Sequence, residues 1–140
     1  DRVSDLFERC EELRVHGDLH RGNILWSSQG PNLVDFDDLT MGPAVQDLWM
    51  LLPGRDEDDW ELKESFLRSY ESVRPFNRDE LELVEPLRGL KFVRHAAWVA
   101  KRRHDPAFVR AFPEVETDSF WVREVQDIEA QLRIIELHRS

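Results

Sequence analysis

His16-Gly17-Asp18-Leu19-His20-Arg21-Gly22-Asn23-Ile24-Leu25-Trp26, followed by Leu33-Val34-Asp35-Phe36-Asp37-Asp38, is the stretch whose reading decides the fold. The apolar runs Ile24 to Trp26 and Leu33 to Phe36 flank Ser27-Ser28-Gln29-Gly30-Pro31-Asn32. Apolar runs on either side of a Gly/Pro/Asn-rich connection predict a β-hairpin with a longer loop. Such a hairpin returns the end of its second strand to the loop before its first. Asp18 and Asn23 lie on that loop and Asp35 at that strand end, so their oxygen-bearing side chains are expected to converge.

That convergence suits phosphoryl transfer. The reaction needs a carboxylate to take the proton of an attacking hydroxyl, and hard oxygen ligands to hold Mg²⁺ on the nucleotide phosphates. Protein kinases supply these as H-R-D-x-x-x-x-N followed by D-F-G. His16-x-Asp18-x-x-x-x-Asn23 has the first pattern, with Gly17 in place of Arg. Asp35-Phe36-Asp37 has the second, with Asp37 in place of Gly. A competing reading takes His16, Asp18 and His20 as transition-metal ligands of a metallohydrolase, since three potential ligands fall within five residues. It lacks a second His/Cys cluster and leaves Asn23 and Asp35 unexplained. The plainer role for His16 and His20 is to brace the loop by hydrogen bonds.

His-Gly-Asp-x-His-x-x-Asn followed by an (I/V)-D-(F/W) strand resembles the aminoglycoside-phosphotransferase-like kinases, which share the protein-kinase fold. The resemblance continues through Gly42-Pro43-Ala44-Val45-Gln46-Asp47-Leu48-Trp49-Met50-Leu51-Leu52 and Glu85-Pro86-Leu87-Arg88. Within the family, the residues are most similar to those of a bacterial protein-kinase branch. The resemblance implies an α+β, mostly helical chain: the C-terminal lobe of the kinase-like fold, with a small hairpin carrying the catalytic loop and the metal-binding Asp. It implies Asp18 as catalytic base, and Asn23 and Asp35 as ligands of Mg²⁺ and, through it, of ATP. Asp47 is implied to brace the catalytic-loop backbone, with His16, His20 and Asp37 in support. The implied reaction moves the γ-phosphoryl group of ATP to a Ser or Thr hydroxyl of a protein. The alternative acceptor is a small hydroxyl compound such as an aminoglycoside, choline or a sugar alcohol.

In the family, a Gly-rich loop and a strand Lys precede the catalytic Asp. Here the six glycines, at 17, 22, 30, 42, 54 and 89, form no G-x-G-x-x-G. Residues 1–140 are therefore expected to be one domain, the C-terminal lobe alone, on which the missing N-terminal nucleotide-clamping lobe would pack. By itself such a lobe is expected to be inactive, and a truncated, non-catalytic interaction domain is the reading from a different class.

Composition adds bounds. Hydrophobic residues make up 41% of the 140, which predicts a globular chain with a real core. No apolar run approaches the about 20 residues of a membrane span, and no signal peptide is expected. The single Cys10 allows no internal disulfide and fits a reducing, cytoplasmic compartment. A formal net charge of −10 argues against nucleic acid or an anionic membrane as partner.

Outside the central stretch the periodicity predicts helices. Ser4 to Leu13 has Leu6, Phe7, Cys10 and Leu13 on one face. Val45 to Leu52 is apolar nearly all round, so a lone Asp47 within it needs a hydrogen-bond partner. Trp60 to Val73 would turn Trp60, Phe66, Leu67 and Tyr70 inward. Asn77 with Glu80 has the form of a capping box. Asp79 to His104 carries a stripe of Leu81, Val84, Leu87, Leu90, Val93, Ala97 and Ala100, with Pro86 expected to break or kink it. Asp105 to Pro113 reads as an irregular, surface-packed stretch. Ser119 to Leu137 carries Trp121, Val125, Ile128, Leu132 and Ile135 as one apolar stripe.

Overall fold

The computed structural model describes residues 2–138. Among them the chain is mostly helical, with two small antiparallel sheets. It divides into two compact units, Asp1–Val84 and Glu85–Ser140. No described helix is long and apolar enough to cross a membrane.

The first unit opens with α1 (Arg2–Arg9), which buries Leu6. The helix stops short of the predicted Leu13. Leu13–Val15 forms strand β1 instead and pairs antiparallel with β4 (Thr40–Gly42), Val15 facing Thr40 and Leu13 facing Gly42. Sequence reading missed this sheet because three-residue strands show no period. The Cys10 thiol donates to the Leu6 carbonyl at 3.2 Å, and burial pushes its pKa up, away from a reactive thiolate.

Between β1 and β4 lies the hairpin of β2 (Ile24–Ser27) and β3 (Gly30–Leu33). It is tighter than the spacing predicts. Ser27 pairs with Gly30, so only Ser28 and Gln29 make the turn. Gly30, directly after these two residues, takes a positive φ of 110, an angle open to glycine, as at a bulge that follows a turn. Strand pairing ends at Leu33, and Asp35 follows in the irregular segment after it. The hairpin leaves Leu25, Trp26 and Leu33 exposed, Trp26 at 77%.

Then comes α2 (Val45–Leu51), in which Val45, Leu48, Trp49 and Met50 are buried. Next is α3 (Glu57–Glu71), capped by Asp56, whose side chain accepts from the Asp59 amide. Leu67 is buried with Ala44 and Leu48, and Phe66 and Tyr70 pack against that cluster. Trp60 is exposed, against expectation, because it lies on the first turn of α3, away from the cluster.

A 3-10 helix (Arg78–Leu83) completes the unit. Asn77 caps it by accepting from the Asp79 amide. The expected capping box does not form, because the Glu80 side chain turns inward to the Val45 amide instead. The Arg78 guanidinium is gripped by two carboxylates, donating to both oxygens of Glu64 at 2.8 and 3.0 Å and to both oxygens of Glu71 at 2.7 and 2.9 Å. These bidentate pairs tie the 3-10 helix to α3.

In the second unit, α4 (Val84–Arg102) runs through Pro86 unbroken, since the proline falls in its first turn, where no intrahelical N–H bond is lost. The stretch expected to be irregular contains α5 (Pro106–Ala111), capped by Asp105, and a 3-10 helix (Pro113–Glu116). α6 spans Asp118–His138. The buried positions of α4 and α6 include Arg88 and Gln131, whereas Leu90, Val93, Val125 and Leu132 of the expected stripes are exposed. Gln131 donates to the Glu85 carbonyl at 2.9 Å and to its carboxylate at 2.8 Å, and that carboxylate lies 3.3 Å from Arg88. Hydrogen bonding between polar groups lets this face turn inward.

Arg78 holds the pKa of Glu64 and of Glu71 below the ordinary 4.5, by hydrogen bonds first and charge second. A lowered carboxyl pKa contributes stability above the unfolded value that is lost as pH falls through the folded one. The chain is therefore expected to melt higher than its Arg78→Ala variant at pH 7, and this advantage should shrink below about pH 4.5. Thermal melts of both at pH 7 and pH 3 check it; an equal gap at the two values would refute the role of the pairs.

Candidate active site

The segment after β1 is built from backbone contacts. Asp47 on α2 accepts from the His16 amide at 2.7 Å and from the Gly17 amide at 3.0 Å. Gln46, its neighbour, donates to the Gly17 carbonyl at 3.2 Å. Gly17 has φ 84, and a Cβ built on it would lie 2.2 Å from the Asp38 carbonyl oxygen. Both the backbone angle and the close approach therefore require glycine.

His16 is buried, and its ring spans the two halves of the site. Nε2 lies 2.8 Å from the Val34 carbonyl. A carbonyl can only accept, so Nε2 carries the proton, and Nδ1 accepts from the Asp18 amide at 3.4 Å. Phe36 packs on the ring at 4.8 Å between centroids. With both nitrogens engaged inside the protein, His16 has no lone pair to offer a metal. Among the described residues no three His, Cys, Asp or Glu side chains are arranged to hold a metal ion. The transition-metal triad of His16, Asp18 and His20 is thus not formed, and its loop geometry is a brace.

Asp18 is held through its backbone. Its carbonyl accepts from the His20 amide at 2.9 Å and from the Asn23 side-chain Nδ2 at 2.9 Å. Its carboxylate is left about a quarter exposed and lies 3.6 Å from His20 Nε2. His20 caps the 3-10 turn Arg21–Asn23, its Nδ1 accepting from the Gly22 amide at 3.0 Å. That bond leaves the neutral ring's proton on Nε2, the nitrogen 3.6 Å from the Asp18 carboxylate. A side chain on Gly22 would press on the His20 ring.

Asn23 is buried, and with Nδ2 on the Asp18 carbonyl its Oδ1 makes no hydrogen bond to any described residue. Its own carbonyl accepts from the Val34 amide, which links the loop to the residue before Asp35. Asp35 has φ 63, an uncommon angle for any residue but glycine, which Asp tolerates better than most. Val34 on one side and Phe36 on the other are both tied to His16. The Asp35 and Asp37 carboxylates are exposed and make no hydrogen bond or ion pair with a described residue.

The structure thus brings the Asp18–Asn23 loop and the Asp35 segment together through His16, Asn23 and Val34. Asp47 and Gln46 hold the loop from below. Gln46 escaped the sequence reading, and Asp38, which reads there as a support for Mg²⁺ or a cap of the next turn, contributes its carbonyl instead. Gln46 could have been suspected as the polar neighbour of Asp47. Asp38 acts through its backbone, for which no side-chain signal exists. Arg21, the cation within the loop, donates to the Leu51 carbonyl at 3.1 Å, at the end of α2.

The sequence is similar to those of several known proteins. Stress response kinase A of Salmonella typhi is 43% identical over 123 residues, covering 88% of this chain and 37% of that protein. Stress response kinase A of Escherichia coli strain K12 is 42% identical over 124 residues, covering 89% of this chain and 38% of the relative. Serine/threonine protein kinase RdoA of Salmonella typhimurium is 43% identical over 123 residues, with 88% and 37% coverage. The chain therefore spans little more than a third of the length of these relatives. The model of the phosphotransferase enzyme family matches residues 4–84, which hold every element of the site described above, and the chain belongs to that family.

Proposed function

We propose that this chain carries the catalytic half of an ATP- and Mg²⁺-dependent kinase that phosphorylates Ser or Thr hydroxyls of a protein. The observation that carries the reading is the arrangement of side-chain oxygens around one rigid loop. Asp18 has every backbone group fixed and its carboxylate partly exposed, while Asn23 Oδ1 and the Asp35 carboxylate have no partner among the described residues. The name of one relative, serine/threonine protein kinase RdoA, favours a protein acceptor over a small hydroxyl compound.

Asp18 accepts the proton of the attacking Ser or Thr hydroxyl as that oxygen bonds to the γ-phosphorus of ATP and the bond from that phosphorus to the bridging oxygen breaks, with ADP as the leaving group. His20 Nε2 lies 3.6 Å from the carboxylate, close beside it but outside hydrogen-bond range. Asn23 and Asp35 offer hard oxygens, the donor set that suits Mg²⁺, an ion that keeps several waters and takes only one or two protein carboxylates. Bound there, Mg²⁺ would neutralise phosphate charge, which a chain of net charge −10 otherwise repels. Asp37, exposed two residues on, would support a bound ion as a further nearby acceptor. Asp47 keeps the loop in place and does not touch the reactants. In the intact protein, the exposed apolar side chains of the hairpin, with Trp26 and Leu33 on one face and Leu25 on the other, are where a nucleotide-clamping lobe would pack.

In the intact protein, Asp18→Asn keeps the fold and is expected to lower kcat by about 10²–10⁴. Phosphoryl transfer from labelled ATP reads it, and unchanged turnover would remove Asp18 from the role of base. Asp35→Ala is expected to weaken Mg²⁺-dependent nucleotide binding, read by calorimetry against Mg²⁺ concentration. An unaltered metal dependence would overturn the ligand assignment.

A further inference from the structure

We propose that Glu80 is a positioning residue for the Asp18 loop, acting through the first amide of α2. The inference rests on the reading of that loop as catalytic. Glu80 sits on the 3-10 helix Arg78–Leu83, far in sequence from the site, and is only 3% exposed. Its Oε2 accepts from the Val45 amide at 3.2 Å. No ion pair joins it to a described residue. Desolvation pushes its carboxyl pKa up, with the Val45 N–H pulling the other way. Burying an acid without a cation is costly, and an apolar side chain would fill the space at less expense. The carboxyl is explained by the donor it serves.

That donor matters because of its place at the start of α2. The first amides of a helix lack intrahelical partners. In α2, Gln46, Asp47 and Leu48 find backbone carbonyls at Pro43 and Ala44. Ala44, at the cap position, offers no side-chain acceptor, so Glu80 is what receives the Val45 N–H. α2 has seven residues, too few to hold its own position without tertiary contacts. The next two residues, Gln46 and Asp47, make three bonds to the loop backbone, at His16 and Gly17. A small rotation of this turn would move all three. Glu80 therefore fixes the start of α2, α2 fixes Asp47, and Asp47 fixes the backbone that presents Asp18.

The test uses the intact protein and four variants: Glu80→Ala, Glu80→Asp, Glu80→Gln and Asp18→Asn. The readouts are Mg²⁺-dependent ATP turnover well below the melting temperature, and amide hydrogen exchange at His16 and Gly17. Ala removes the acceptor, and Asp shortens its reach by one methylene. Both are expected to lower kcat by up to about 10²-fold. KM for ATP should change little, and the His16 and Gly17 amides should exchange faster. Gln keeps a neutral, weaker acceptor. It should hold kcat near wild type while those two amides exchange several-fold faster than in wild type and more slowly than in the Ala variant. A folded Ala or Asp variant with wild-type kcat and exchange would overturn the proposal. If neither folds, the Gln variant decides: exchange at His16 and Gly17 identical to wild type would overturn it. Turnover that survives Asp18→Asn would sink the catalytic reading itself, whereas turnover lost there but untouched by Glu80→Ala would sink only the role of Glu80.

Discussion

The paired acceptance of the His16 and Gly17 amides by Asp47 is the interaction on which the rest of the site depends. Two consecutive amides bonded to the two oxygens of one carboxylate leave the peptide between them little freedom. His16 can then reach the Val34 carbonyl with one ring nitrogen and the Asp18 amide with the other. Asn23 closes the loop by bonding the Asp18 carbonyl. Each bond is of ordinary strength, about 1 kcal/mol net, and somewhat more where the acceptor is charged. Their value lies in sharing residues, so that none can move without breaking a neighbour.

Two backbone positions carry the cost of this arrangement. Gly17 and Asp35 both adopt positive φ, and they lie on the two segments that meet at His16. At Gly17 the Asp38 carbonyl passes where a Cβ would sit, so the loop and the segment after Asp35 are in direct contact. At Asp35 the positive angle falls between two neighbours tied to His16, Val34 and Phe36, and the residue is exposed. Strain of this kind persists where surrounding contacts outweigh it, and it gathers where side chains must be aimed. The β1–β4 pair closes the base of the whole segment, so the hairpin and both loops rise from one short sheet.

Arg88, Glu85 and Gln131 show the same economy in the second unit. A polar cluster is buried where the apolar periodicity of α4 and α6 pointed elsewhere. A hydrophobic stripe ranks residues by their distaste for water. It cannot register that Gln131 satisfies two oxygens of Glu85 and so becomes inexpensive to bury.

The placement of the candidate site's residues was legible in the sequence. His16, Gly17, Asp18, Asn23 and Asp35 are close along the chain, and the types and spacing of their side chains carry the information. A lone acid in an apolar helix required a donor, and Asp47 has two. Helix existence could also be read, because α2, α3, α4 and α6 are long enough or apolar enough to show a period. Tertiary structure alone decided the rest. The β1–β4 sheet is made of three-residue strands with no period of their own. The tight register of the hairpin was chosen by pairing across strands, not by the Gly/Pro composition of its connection. Glu80 imitated a local cap, yet its carboxyl bonds an amide 35 residues away. Sequence patterns report what a residue does to its neighbours along the chain, whereas hydrogen bonds between distant segments depend on where folding brings the donors.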